Sequence, residues 1–195
     1  MGFLIDIVYT DYRKAFDKIS HAKLELRVRQ YGFGEKLIKW IKASLSERSQ
    51  RVVLDEAFSI WISVFSGVPQ GSVLGPLLFI IYVNEMLELV QNDCEAYADD
   101  TKIISVIKNL MSHIKLQDDI DQICKWSNQW STVLNTEKCK VLGKSNLRFD
   151  YEIFSNNGHK YVLGKSDCEK DLGIFIESDL KWEVQVAHCT SKTNR

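Results

Sequence analysis

The chain has 195 residues, 45% of them hydrophobic and 26% charged, with a formal net charge of −1. That is an ordinary globular composition, enough for one domain or a domain and a half. The near-neutral charge argues against a strongly basic, autonomous nucleic-acid binder. No apolar run approaches the roughly 20 residues that span a bilayer, so no membrane association is expected. Five cysteines (Cys94, Cys124, Cys139, Cys168, Cys189) include no C-x-x-C pair, which removes the usual zinc spacing. Their odd number, with no signal-like N-terminus, fits a reducing intracellular compartment, nucleus or cytoplasm. Each is expected to be a small buried apolar residue.

In chain order, residues 2–10 read as a buried strand with Asp6 as its one charged interruption. Helices follow from about His21 to Gln30 and from about Glu35 to Glu47, the second with Leu37, Ile38, Ile41 and Leu45 on one face. The basic residues Arg27, Arg29, Lys36, Lys39, Lys42, Arg48 and Arg51 crowd this third of the chain; a solvated helix face accounts for them as well as a binding patch does. Arg51 to Leu54 and Ile60 to Phe65 predict two strands around a turn at Asp55-Glu56-Ala57. Gly67 to Gly71 is a loop. Pro76 suits the first turn of a helix reaching about Val90. Cys94 to Ala98 and Thr101 to Val106 predict a hairpin with Asp99 and Asp100 at its tip. A long amphipathic helix carries Leu116, Ile120, Ile123, Trp130 and Leu134 on its apolar stripe, with Asp118, Asp119, Asp121 and Lys125 outside it. Beyond Asn135 come short strands around Lys138 to Leu142, Phe149 to Phe154, Tyr161 to Leu163 and Leu172 to Ile176, and a last helix from near Lys181. The fold class is α+β, an antiparallel sheet backed by helices.

Three segments carry chemistry. Asp99 and Asp100 lie between the apolar flanks Tyr97-Ala98 and Ile103-Ile104, which predict buried strands. Neighbouring side chains on a strand point to opposite faces, so one aspartate would face a ligand and the other sit beside it. A plain turn is the competing reading, since aspartate tolerates turn geometry. Asp11 ends the first strand. Either Asp11 or Asp17 could cap a helix, but Ser20, just before His21, fits that role better. Carboxylates at the ends of neighbouring strands can hold two divalent cations roughly 3.5–4 Å apart for in-line phosphoryl transfer, and their hard oxygens suit Mg²⁺. The third segment, Gly67-Val68-Pro69-Gln70-Gly71-Ser72, combines glycines that permit close backbone approach with Gln70, which can hydrogen-bond a base or sugar; a strand-to-helix loop is the plainer reading. Trp40, Trp61, Trp126 and Trp130 are expected to pack in the core rather than stack on bases. The four histidines form no spaced cluster.

Taken together, these segments resemble the palm of a reverse transcriptase. Asp11-Tyr12-Arg13-Lys14-Ala15-Phe16-Asp17-Lys18-Ile19-Ser20-His21 is similar to its first catalytic motif, Gly67 to Phe79 to its second, and Ala96 to Ile103 to its third. The wording resembles non-LTR retrotransposons of the LINE, jockey-like type, and Trp126 to Leu142 and Glu169 to Ile174 resemble segments that follow the palm motifs there. The resemblance covers nearly the whole chain. It implies an RNA-directed DNA polymerase palm, with residues 1–135 as palm and 136–195 as the end of the palm and the start of the thumb connection. It implies Asp11 and Asp99 as principal metal ligands with Asp100 as their neighbour, two Mg²⁺ ions (Mn²⁺ as a substitute), and Phe16 as a steric gate against a 2′-hydroxyl. Pro69, Gln70 and Gly71 would line the nucleotide and template pocket, and Tyr97 and Ala98 would lie near the primer end. Lys138 or Lys140 would be the general acid. The implied partners are an RNA template, a DNA primer and dNTPs. The chain begins almost at the first motif and stops where the family continues into a thumb, so fingers and thumb are expected to be largely missing, and Asn84-Glu85 stands where relatives often carry Asn-Asp. The runner-up expectation is a catalytically inactive retrotransposon remnant with at most weak nucleic-acid or partner binding. A metal-dependent nuclease or phosphatase would not need the Gly67 to Phe79 loop.

Overall fold

The computed structural model describes residues 4–143 and 149–193. Strand β1 (Leu4–Thr10) is followed by a short helical turn α1 (Ala15–Lys18), then α2 (His21–Gln30) and α3 (Glu35–Leu45). Ser20 caps α2, its side chain accepting from the Lys23 amide at 3.4 Å. Four two-residue strands come next: β2 (Ser49–Gln50), β3 (Val53–Leu54), β4 (Ala57–Phe58) and β5 (Ile62–Ser63). Helix α4 (Leu74–Leu87) leads into the hairpin β6 (Asp93–Tyr97) and β7 (Asp100–Ile107), and then the long helix α5 (Leu110–Trp130). The rest comprises β8 (Lys140–Gly143), β9 (Glu152–Phe154), β10 (Lys160–Val162), β11 (Gly164–Ser166), β12 (Cys168–Asp171), β13 (Ile174–Glu177) and α6 (Glu183–Thr193).

The main sheet has the order β11-β8-β1-β7-β6, antiparallel except for the β11–β8 pair. β1 sits at its centre. Asp6, Val8 and Thr10 alternate onto one buried face, where His113 of α5 approaches Asp6 at 3.6 Å. Tyr9 and Asp11 take the opposite face. Asp6 is not left bare: the Tyr151 hydroxyl donates to its carboxylate at 2.8 Å, and His113 Nδ1 lies 2.6 Å from the same hydroxyl. This satisfies the charged interruption of an otherwise apolar strand. The core gathers β1, α2, α3, α4 and α5, with Trp126 and Trp130 buried beside Tyr82.

Several expectations are corrected. Asp119 was placed outside the apolar stripe of α5, but it is buried. Its carboxylate accepts from the Gln91 and Asn92 amides at 2.8 and 3.0 Å and from Asn92 Nδ2 at 2.7 Å, capping the turn between α4 and β6. Leu134 is buried beyond the end of the helix, beside the bridge from Tyr12 to Leu134. Arg27 does not belong to a solvated basic face: it is buried, pairs with Glu85 and stacks over Trp130 at 3.7 Å. Trp40 and Trp61 are exposed rather than core. The residues 49–65 form a narrow two-tier ribbon, β2 with β5 and β3 with β4, too thin to cover either face. Of the cysteines, Cys124 and Cys139 are buried, Cys94 and Cys168 half-buried and Cys189 exposed.

Candidate active site

The ends of β1, β7 and β8 open into a cleft of about 820 Å³, lined by Asp11, Asp100, Tyr97 and Lys138 among others. Asp11 is fixed by the segment after α5. The Asn135 amide donates to the Asp11 carbonyl at 2.8 Å, Asn135 Nδ2 donates to its carboxylate at 3.0 Å, and Lys138 Nζ lies 3.6 Å from the same oxygen. Asp100 opens β7. Burial raises the pKa of its carboxyl, and the negative charges of Asp99, Asp11 and Asp171 raise it further. Three other acids therefore stand within electrostatic reach of Asp100.

The hairpin departs from expectation in two ways. Asp100 lies in the strand, paired with Tyr97, and only Ala98 and Asp99 form the turn, with Ala98 at φ 55°. Tyr97 and Ala98 are exposed, because β6 is the sheet's edge and not a buried strand. The cleft wall carries Asp100, while Asp99 is half-buried at the turn beside it.

Phe16, Pro69, Gln70 and Gly71 form a second neighbourhood, outside the lining of that cleft. Here the turn after β1 is stitched to the loop before α4. The Gly67 amide donates to the Ile19 carbonyl and the Val68 amide to the Phe16 carbonyl, both at 2.8 Å. His21 Nε2 lies 2.8 Å from the Gly67 carbonyl. Phe16 stacks on Phe79 of α4, ring centres 4.4 Å apart and planes 17° apart. Gln70 Nε2 donates to Asp17 at 3.1 Å. The short run from Asp11 to Phe16 joins this neighbourhood to the acids.

The structure separates the two candidate lysines. Lys140 is paired with Glu169 at 2.9 Å, whereas Lys138 stands beside Asp11 with its side chain 69% exposed. It also adds residues the sequence reading did not single out: Asn135, which orients Asp11, and Tyr9, Lys102, Glu169 and Asp171 on the cleft wall. Burial pushes the Tyr9 phenol up to about 12. Glu169 and Asp171 lie in a segment the resemblance marks, but the lysines they meet are distant in sequence. Among the described residues, no three acidic, histidine or cysteine side chains gather closely enough to hold a metal ion.

Comparison with known proteins decides the family. A profile described as "Reverse transcriptase (RNA-dependent DNA polymerase)" matches residues 7–153. The chain belongs to the reverse transcriptase family. The RNA-directed DNA polymerase from mobile element jockey of Drosophila melanogaster is 28% identical over 92% of this chain and 20% of its own length. The probable RNA-directed DNA polymerase from transposon X-element of the same fly is 30% identical over 67% of this chain and 15% of its own. These similarities place the reverse transcriptase domain with those of non-LTR retrotransposons. The chain thus spans about a fifth or less of the length of these relatives. Apo telomerase from Candida tropicalis superposes with a TM-score of 0.63 at 14% identity, covering 92% of this chain and 35% of that one, which supports the reverse transcriptase fold of the palm. Reverse transcriptases generally use divalent metal ions. Among the described residues, no helix is long and apolar enough to cross a membrane.

Proposed function

We propose that this reverse transcriptase domain carries the palm of an RNA-directed DNA polymerase, transferring deoxynucleotides to a primer 3′-hydroxyl on an RNA template. The observation that carries the reading is the placement of Asp11 and Asp100 on one cleft wall from adjacent strands, with Asp99 next to them. Carboxylates are the donors a hard divalent cation prefers, and the crowding of negative charge that raises the Asp100 pKa is what such a cation relieves. Asp11 and Asp100, with Asp99 beside them, would supply carboxylate ligands to two Mg²⁺ ions, with Mn²⁺ as a substitute; the three do not by themselves close a metal site, and the substrate's phosphates would complete each ion's coordination. Held by these carboxylates, such ions would supply a lowered pKa for the attacking hydroxyl and positive charge against the triphosphate. Asn135 keeps the Asp11 carboxylate aimed into the cleft. Lys138, exposed beside Asp11, is the better placed of the two lysines to pass a proton to the leaving pyrophosphate, because Lys140 is engaged by Glu169. Phe16, braced on Phe79, is the gate against a 2′-hydroxyl, and Pro69, Gln70 and Gly71 present the nucleotide and template pocket. Tyr97, which ends β6, and Ala98, in the turn, are exposed and would meet the primer end. We read residues 1–135 as the palm and 136–195 as its end and the thumb connection, since β8 and β11 still extend the sheet whereas β12 and β13 pair only with each other.

The test is primer extension on poly(rA)/oligo(dT) with Mg²⁺, comparing the chain with Asp99→Ala and Asp11→Asn. The expected outcome is extension that falls by about a thousandfold in either variant, matching several kcal/mol of charge stabilisation. Extension at equal rates in all three would overturn the assignment of the acids. No extension in any of them would favour the inactive-remnant reading.

A further inference from the structure

Tyr9 of β1 stands opposite Lys102 of β7 on one side and Lys140 of β8 on the other. The three side chains form one row across the sheet, and Glu95 of β6 extends it opposite Lys102. Two residues further along the same paths come Asp11 beyond Tyr9, Asp100 before Lys102 and Lys138 before Lys140. Residues two apart on a strand share a face, and all of these line the same cleft. A row of two lysines and a tyrosine therefore lies directly behind the row of acids.

The β12–β13 hairpin crosses that row. Its turn residues Leu172 and Gly173 both have positive φ, 47° and 90°, the backbone of a tight two-residue hairpin turn, and Leu172 joins the cleft wall. Glu169 and Asp171, on one face of β12, meet the two lysines: Glu169 pairs with Lys140 and Asp171 with Lys102, each at 2.9 Å. Lys102 also reaches Glu95 at 3.1 Å. The Lys102 and Asp171 side chains are only 23% and 13% exposed, so this pair is screened far less than a surface one. Lys170, between the two acids, turns instead over Phe175.

We propose that Asp171 and Glu169 are positioning residues. By gripping Lys102 and Lys140 they latch the Cys168–Glu177 hairpin across the sheet, one row behind Asp11 and Asp100, and so fix the width of the cleft a nucleic-acid strand must enter. The inference rests on the nucleotidyl-transfer reading for the identity of that occupant. It makes the hairpin a wall set by charge pairing rather than by apolar packing.

The test uses the full chain and a fluorescein-labelled RNA–DNA template–primer duplex, with binding read by anisotropy and hairpin order by amide hydrogen exchange. Asp171→Asn is expected to weaken binding about tenfold, in proportion to a lost charge-assisted hydrogen bond. Amides of 168–177 exchange faster, those of α5 stay unchanged, and the charge swap Lys102→Glu with Asp171→Lys restores both readouts. Electrostatics alone predicts the opposite sign, since removing a negative charge beside a polyanion tightens binding. Unchanged or tighter binding in Asp171→Asn would overturn the latch, as would unaltered hairpin exchange, failure of the swap to rescue, or absence of duplex binding by the wild-type chain. A wild-type chain that binds the duplex but extends no primer overturns the nucleotidyl-transfer reading alone, and the latch is still judged by binding and exchange.

Discussion

Asp100 has a higher proton affinity in the folded chain than in an unfolded one, first because of burial and then because Asp99, Asp11 and Asp171 crowd it with negative charge. A carboxyl shifted this way contributes stability below its unfolded value of 3.8, and that contribution is lost as pH rises through the higher folded value. At neutral pH the ionised group therefore works against folding. Asp100→Asn removes that repulsion, so the variant melts about 2 °C higher than the wild type at pH 7, and the gap closes below about pH 3, where the wild-type carboxyl is protonated too. Differential scanning calorimetry across that range checks it; a lower melting temperature at pH 7 would refute the repulsion. That Asp99 and Asp100 sit at the end of a hairpin was legible in the sequence, because they interrupt two apolar runs. Which of them faces the cleft was not, because that depends on whether the turn takes two residues or four. Asn135 was invisible as a partner of Asp11, since a separation of 124 positions carries no local signal.

Elements with a strong period were read well. The helices α2 and α5 and the hairpin β6–β7 follow from apolar spacing and turn residues. Nothing in the sequence links the turn after β1 to the loop that begins at Gly67, although the Gly67 and Val68 amides tie the two together. Gly67 has φ 80°, and a Cβ there would lie 2.6 Å from both Asp17 Cα and the Phe16 carbonyl oxygen. Its glycine is required twice over, for backbone conformation and for close approach. Gly67→Ala is expected to cost about 2–4 kcal/mol, seen as a lower urea midpoint with an unchanged slope. An unchanged midpoint would mean the two loops are not packed as described. Asp119 taught the converse lesson: charge placed it on the solvent side of α5, but three hydrogen bonds to the α4–β6 turn hold it inside. A buried acid with partners far away in sequence breaks the helical pattern without leaving a trace in it.

At the scale of the molecule, the apolar surface is unevenly covered. The core around β1 and α5 is closed, yet the 49–65 ribbon leaves Val52, Leu54, Ile60 and Phe65 between 70% and 86% exposed. Arg51 lies over the Phe58 and Trp61 rings at 4.5 and 4.7 Å, yet both rings stay 60% exposed alongside those four apolar side chains. Short paired strands with free edges and apolar faces are a route to self-association. The isolated chain is therefore expected to associate as its concentration rises towards about 100 μM. The triple variant Leu54→Thr, Ile60→Thr and Phe65→Ser is expected to remain monomeric there, with a melting temperature within about 2 °C of wild type because the altered side chains already face water. Sedimentation velocity separates the two. A monodisperse wild-type monomer would contradict the argument, and a variant that associates equally would move the sticky surface elsewhere, to the exposed Trp182, Val186 and Leu172 around α6 and the β12–β13 hairpin. The ribbon and the latched hairpin differ in one respect that decides their behaviour. The hairpin is tied to the sheet by opposite charges, whereas the ribbon presents apolar side chains to solvent, so added salt should strengthen association through the ribbon while loosening the more exposed of the hairpin's two ion pairs, Lys140–Glu169.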